Sequence, residues 1–228
     1  VKGLDVSRVR AVLFDIDGTL ADTDDQAVRM AARVLARFHV GSPDHSRTRL
    51  ARRLIMAAEG PVNAMFYLAD RLMLDEVIAP FSEAFDRVRL GRPGGTPALI
   101  PGVEETVARL AVRFPLGVVT TRGDVRARRF LVDSRLDGYF RAVVTARSTR
   151  RTKPHPAPVV RAAQELGVTP QGCLLVGDTT VDIRAGRAAG AQTVGVLCGF
   201  GERDELERAG ADLILATTAD LASVLLDP

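Results

Sequence analysis

The feature that most limits what this 228-residue chain can fold into is a set of six short apolar runs: RAVLF (10–14), LGVVT (116–120), RAVVT (141–145), CLLVG (173–177), TVGVL (193–197) and DLIL (212–215). Each is near-continuous in apolar and β-branched residues rather than alternating with polar ones, so each reads as a strand buried on both faces. Between the later runs lie VEETVARLAVRF, DVRARRFLVDSRL, APVVRAAQELGV and VDIRAGRAAGA, all with helical period, and Pro101 to Gly102 and Thr169 to Pro170 punctuate them. Strands alternating with helices predict a parallel α/β sheet.

One stretch breaks the alternation. From Asp22 to about Pro97 there is no strand-like run. DQAVRMAARVLARFHV, SRTRLARRLIMAAEG and PVNAMFYLADRLMLDEVIAPFSEAFDRVRL all carry apolar residues at helical spacing, and the turn-rich GRPGGTPALIPG follows. The expectation is a helical insertion, residues 22–97, in a core assembled from 1–21 and 98–228. The plainer alternative is that these helices extend the main core.

Composition narrows the class. With 31 basic and 28 acidic residues spread along the chain, a net charge of +3 predicts a mixed-sign surface and no nucleic-acid partner. The apolar runs fall far short of the roughly 18 residues of a membrane span, and no leader-like segment stands at the start; the expectation is a soluble, unprocessed, cytoplasmic protein without a membrane partner. Cys173 and Cys198 have no metal-ligand or redox spacing and are expected as free thiols. Among all the basic residues only Lys2 and Lys153 are lysine. An internal lysine in a chain that otherwise uses arginine points to a place where a compact ammonium is needed and a planar guanidinium does not serve.

In an open parallel α/β sheet, ligands bind at the carboxyl ends of the strands. The polar residues there are Asp15 and Asp17 after the first run, Thr120 and Thr121 after the second, Lys153 after the third, and Asp178 and Asp182 after the fourth. Asp15 and Asp17 raise a question, because a carboxylate beside a buried strand is costly unless it is paired, hydrogen-bonded or bound to a metal. Asp15 and Asp178, with a backbone carbonyl near Asp17, offer the hard oxygens that magnesium prefers, and Asp182 stands one helical turn beyond Asp178. Thr120 can donate a hydroxyl, and Lys153 an ammonium, to phosphoryl oxygens.

These residues fall in four motifs: FDIDGTL, VVTT, KPHP and VGDTTVDIRAGRAAG. In order and spacing the chain resembles the haloacid dehalogenase-like superfamily, in particular its phosphoglycolate phosphatase-like members, across nearly its whole length. The resemblance implies a Rossmann-like three-layer core and a type-1 helical cap. It implies a magnesium-dependent phosphatase of a small phosphorylated metabolite, phosphoglycolate first and pyrophosphate or another phosphomonoester next. It implies that Asp15 is the nucleophile that becomes an aspartyl-phosphate and that Asp17 is the general acid and then the base. Thr120, Thr121 and Lys153 would hold the phosphoryl group, and the metal would be held around Asp15, Asp17, Asp178 and Asp182. Dehalogenases of the superfamily lack the acid at the position of Asp17, so its presence argues for phosphoryl transfer.

Plainer roles compete at single positions: a strand terminus for Thr120, a helix N-cap for Asp182, and surface or loop places for His39, His45 and His155. Arg47, Arg49, Arg52 and Arg53 read as a solvated helix face or as partners of an anionic substrate, and Phe66 and Tyr67 as apolar packing of the insertion. Two other functions share the core residues: a phosphomutase resembling β-phosphoglucomutase, and a signalling receiver that stores an aspartyl-phosphate. Monomer and homodimer both remain open.

Overall fold

The structure is a computed structural model, and it describes residues 3–23 and 97–227. The chain divides into two compact units, Val1–Asp22 with Ala98–Pro228, and Thr23–Pro97. Helices expected within 22–97, together with His39, His45, the arginines at 47, 49, 52 and 53, Phe66 and Tyr67, lie outside the described residues.

Six strands form one parallel sheet: β1 (Ala11–Phe14), β2 (Leu116–Val119), β3 (Phe140–Val144), β4 (Cys173–Gly177), β5 (Gln192–Val196) and β6 (Leu213–Leu215). They lie in the order β3-β2-β1-β4-β5-β6, and all five pairings are parallel. Among the described residues the α-helices are α1 (Val103–Ala111), α2 (Asp124–Asp133), α3 (Ala157–Glu165), α4 (Thr180–Ala189), α5 (Arg203–Ala209) and α6 (Leu221–Leu226). The six apolar runs and the six strands agree to within a residue or two at each end.

Side chains alternate across the sheet with period two and feed two separate cores. Val12, Phe14, Leu116, Val118, Leu174 and Val176 pack with α1, α2 and α6 on one face, through Val107, Leu110, Phe130, Leu131, Leu221 and Leu225. Ala11, Leu13, Val119, Val144, Cys173 and Leu175 pack with α3 and α4 on the other, through Val159, Ala162, Ala163 and Ala185. The result is the three-layer, Rossmann-like arrangement, with helices on both faces. Burial on both faces holds for β1, β2, β4 and β5. It fails at the two edges: Arg141 of β3 faces solvent, and all three residues of β6 are half-buried. An edge strand has a neighbour on one side only, so helices cover it less completely. Cys173 and Cys198 are free thiols. Among the described residues, no helix is long and apolar enough to cross a membrane.

The strand order reverses at β1, which sits between β2 and β4, and the crevice at that point opens beyond the carboxyl ends of the strands. Leaving β1, the chain turns sharply: the carbonyl of Ile16 accepts from the amides of Thr19, Leu20 and Ala21 at 3.3, 2.9 and 2.8 Å. Gly18 occupies the left-handed region at φ 70°, and a Cβ there would overlap the Asp178 carboxylate. The paths out of and back into the core run side by side, since Asp22 N donates to Ala98 O at 2.8 Å and Ile100 N to Leu20 O at 3.0 Å.

Leu175 is fully buried at the middle of β4, opposite Leu13 in register. Replacing Leu175 with Ala should destabilise the fold by about 2–5 kcal/mol in a denaturant titration; a change below about 1 kcal/mol would contradict this placement of the core.

Candidate active site

Asp15 follows β1 directly, and its amide continues the ladder by donating to Val176 O of β4 at 3.0 Å. That bond places its side chain at the crevice. Asp178 follows β4 in the same way and is fully buried: its Oδ2 accepts from Phe200 N at 2.8 Å and its Oδ1 from Thr19 Oγ1 at 3.3 Å. Thr19 is itself held from behind, where its carbonyl accepts from Thr218 Oγ1 at 2.7 Å. Gly199 also lies against Asp178, where a Cβ would overlap the carboxylate.

Asp182 belongs to the first turn of α4. The helix N-cap is Thr179, not Asp182: Asp182 is the N3 residue of a capping box, and its Oδ2 accepts from Thr179 N at 3.2 Å and from Thr179 Oγ1 at 2.7 Å. This corrects the capping role expected for it and frees its other oxygen. Oδ1 accepts from Lys153 Nζ at 2.5 Å.

Lys153 comes in from the loop before α3 and is buried. Its Nζ lies 2.8 Å from Asp15 Oδ1 and 2.5 Å from Asp182 Oδ1, so one ammonium bridges two carboxylates. Burial opposes its charge, but Asp15 and Asp182 more than offset that and hold the ammonium well above its usual range. Asp15 Oδ1 has this ionic neighbour but no directed hydrogen bond. Burial pushes the Asp15 carboxyl from 3.8 up to about 6; Lys153 pulls it down, while Asp182 and Asp17 push it further up.

Carboxylate oxygens of Asp15, Asp178 and Asp182 all lie within 4.8 Å of one another, and all three residues are buried. Three carboxylates against one ammonium leave a formal charge of minus two, which a single divalent cation cancels. Asp15 Oδ1, whose neighbour is the Lys153 ammonium, and this all-oxygen donor set fit such an ion. The Asp17 side chain is not in this group. It turns to Arg122, whose Nε and Nη2 donate to its Oδ2 and Oδ1 at 2.9 and 2.7 Å, so its carboxylate is engaged by a guanidinium rather than grouped with the other three.

Thr120 stands just past β2 and is buried. Its amide donates to Val144 O at 2.9 Å, and its Oγ1 accepts from Arg122 N at 3.1 Å, an arrangement that leaves the hydroxyl proton to donate. Thr121 is half-buried beside it. His155 is a loop residue, its Nδ1 accepting from Ala157 N at 3.1 Å. Sequence reasoning missed Arg122 and Thr19. The available signal for Arg122 was its place, three residues beyond the carboxyl end of an inner strand.

The chain matches the haloacid dehalogenase-like hydrolase family over residues 12–196. It is 31% identical over 222 residues to a pyrophosphatase PpaX of Anoxybacillus flavithermus, covering 95% of this chain and 97% of that one. It is 29% identical to a phosphoglycolate phosphatase of Yersinia pestis, covering 93% of this chain and 91% of the other. Among solved structures, a haloacid dehalogenase family hydrolase of Deinococcus radiodurans with bound phosphate and sodium superposes with a TM-score of 0.71 at 26% identity, over 96% of each chain.

A buried carboxylate whose pKa is raised weakens the metal-free fold when it ionises. Its contribution is most favourable below its ordinary pKa and is lost as the pH rises through about 6. In chelator-treated protein at pH 7, Asp15→Asn should therefore raise the melting temperature in a thermal denaturation. A lower melting temperature for the variant would show that Lys153 already balances the cluster without an ion.

Proposed function

The chain belongs to the haloacid dehalogenase-like hydrolase family, and on that premise we propose that it is a magnesium-dependent phosphatase of small phosphomonoesters that works through an aspartyl-phosphate on Asp15. The observation that carries this reading is the buried cluster in which Asp15 has one oxygen without a directed hydrogen bond, beside Lys153 and two further carboxylates.

An oxygen of Asp15 attacks phosphorus, and the bond from phosphorus to the leaving oxygen breaks. Asp17 gives its proton to that oxygen, and the alcohol departs. A water then loses a proton to Asp17 and attacks phosphorus; the bond from phosphorus to Asp15 breaks, which releases inorganic phosphate and restores both aspartates. Lys153 and the Thr120 hydroxyl hold the phosphoryl oxygens, with Thr121 beside them. Asp15 and Asp178, with a backbone carbonyl near Asp17 and with Asp182 in support, would hold magnesium, which when bound would supply charge neutralisation between the attacking carboxylate and an anionic phosphate. Asp182 contributes by fixing Lys153, because its own oxygens are engaged by Lys153 and Thr179.

Residues 22–97 serve in this reading as a helical cap that closes over the substrate and excludes bulk water. A phosphoglycolate-like monoester is the first substrate to test, as in the Yersinia relative. Pyrophosphate is the second, favoured by the PpaX relative at 31% identity.

Phosphate release should be measured on phosphoglycolate, pyrophosphate and sugar phosphates, with magnesium and with a chelator. Wild-type protein should release phosphate only with magnesium, and Asp15→Asn should lose the activity by orders of magnitude while keeping its fold. Comparable magnesium-dependent release by the variant would exclude Asp15 as the nucleophile. Isomerisation of a sugar phosphate with little phosphate released would replace the phosphatase by a mutase.

A further inference from the structure

Arg122 takes no part in the chemistry described so far, yet its placement is determined from several directions. Its amide donates to Thr120 Oγ1 at 3.1 Å, and its carbonyl accepts from Ala146 N at 3.0 Å. Its guanidinium lies 5.0 Å from the centre of the Phe130 ring, and that ring is fixed in the core on α2. From there Nε and Nη2 reach both oxygens of Asp17. The two side chains are only 11% and 10% exposed, so this is not one of the mobile surface pairs that contribute little.

A two-pronged guanidinium fixes the plane of a carboxylate as well as its position, which a lysine ammonium does not. Both oxygens of Asp17 act as acceptors here, and both are strong acceptors only in the carboxylate form. In a protonated carboxyl the hydroxyl oxygen is a much weaker acceptor, so one of the two bonds from Arg122 is weakened. The full fork therefore belongs to the state of Asp17 that receives a proton.

We propose that Arg122 is a positioning residue for the second half of the reaction: it holds the Asp17 carboxylate oriented to take the proton of the water that attacks the aspartyl-phosphate. This rests on the reading of Asp17 as acid and base given above. In that half-reaction the water oxygen bonds to phosphorus, the bond from phosphorus to the Asp15 oxygen breaks, and the water's proton passes to Asp17. A carboxylate oxygen carries two lone pairs and the fork uses one on each, so the fork by itself does not block that transfer. In the first half, the protonated Asp17 that donates has one of its two bonds from Arg122 weakened. Loss of Arg122 must then slow breakdown of the aspartyl-phosphate more than its formation.

Rapid-quench single turnovers of the full-length protein on p-nitrophenyl phosphate, whose leaving group needs little help from an acid, separate the two halves. The nitrophenolate burst reads formation, and acid-trapped phosphoprotein reads breakdown. In Arg122→Gln, breakdown should slow by about ten- to a hundred-fold while formation changes by less than about threefold. Arg122→Lys, which keeps a cation and an aliphatic stem over Phe130, should fall between this variant and wild type, and it decides the matter by the same two rates if Arg122→Gln does not fold. Asp17→Asn should show the same selective slowing, and more of it. Selective slowing in Asp17→Asn with equal slowing of both halves, or none, in the Arg122 variants would overturn the role of Arg122 alone. Absence of selective slowing in Asp17→Asn would overturn the base role of Asp17, and this proposal with it.

Discussion

The contact on which the rest of the site depends is the ammonium of Lys153 held between Asp15 and Asp182. It brings the only internal lysine of the chain into a buried pocket with carboxylates contributed by separate parts of the sequence. Burying an isolated carboxylate is expensive, and a single ammonium does not neutralise three of them. What the fold provides around them is hydrogen bonding: Phe200 N and Thr19 Oγ1 for Asp178, and the end of α4 for Asp182. Asp15 Oδ1 is left with a charge neighbour and no directed hydrogen bond. The residue read as nucleophile is thus the one the scaffold satisfies least.

Asp15 and Asp17 are two residues apart, yet they enter different surroundings. Asp15 continues the ladder and faces Lys153 and the acidic cluster. Asp17 is already in the turn closed on the Ile16 carbonyl, and its carboxylate is taken by Arg122. One carboxylate therefore sits where it can be shared with a cation and a phosphoryl group, while its neighbour is held apart from the cation by its own arginine. That separation suits one nucleophile and one proton carrier.

Much of this was legible in the chain itself. Six apolar and β-branched runs located the six strands of the described sheet because inner parallel strands are apolar on both faces, and the edges departed from the pattern because β3 and β6 are covered less completely. Lys153 stood out against a background of arginine. The same background concealed Arg122, which looks like any of its many exposed counterparts until the return of α2 places Phe130 beneath it. The N-cap role that competes with a metal role for Asp182 goes to Thr179, because which of the two occupies the N-cap depends on backbone angles that spacing does not reveal. Thr19 was hidden because its partner Asp178 lies 159 residues away.

Whether Asp15 carries the phosphoryl group is tested most directly by the stereochemical course at phosphorus. A phosphomonoester made chiral with isotopes of oxygen would be hydrolysed in isotopically labelled water, and the configuration of the released phosphate determined. Two successive in-line displacements, first by Asp15 and then by water, predict net retention. Net inversion would mean that water attacks the substrate directly and would contradict the aspartyl-phosphate.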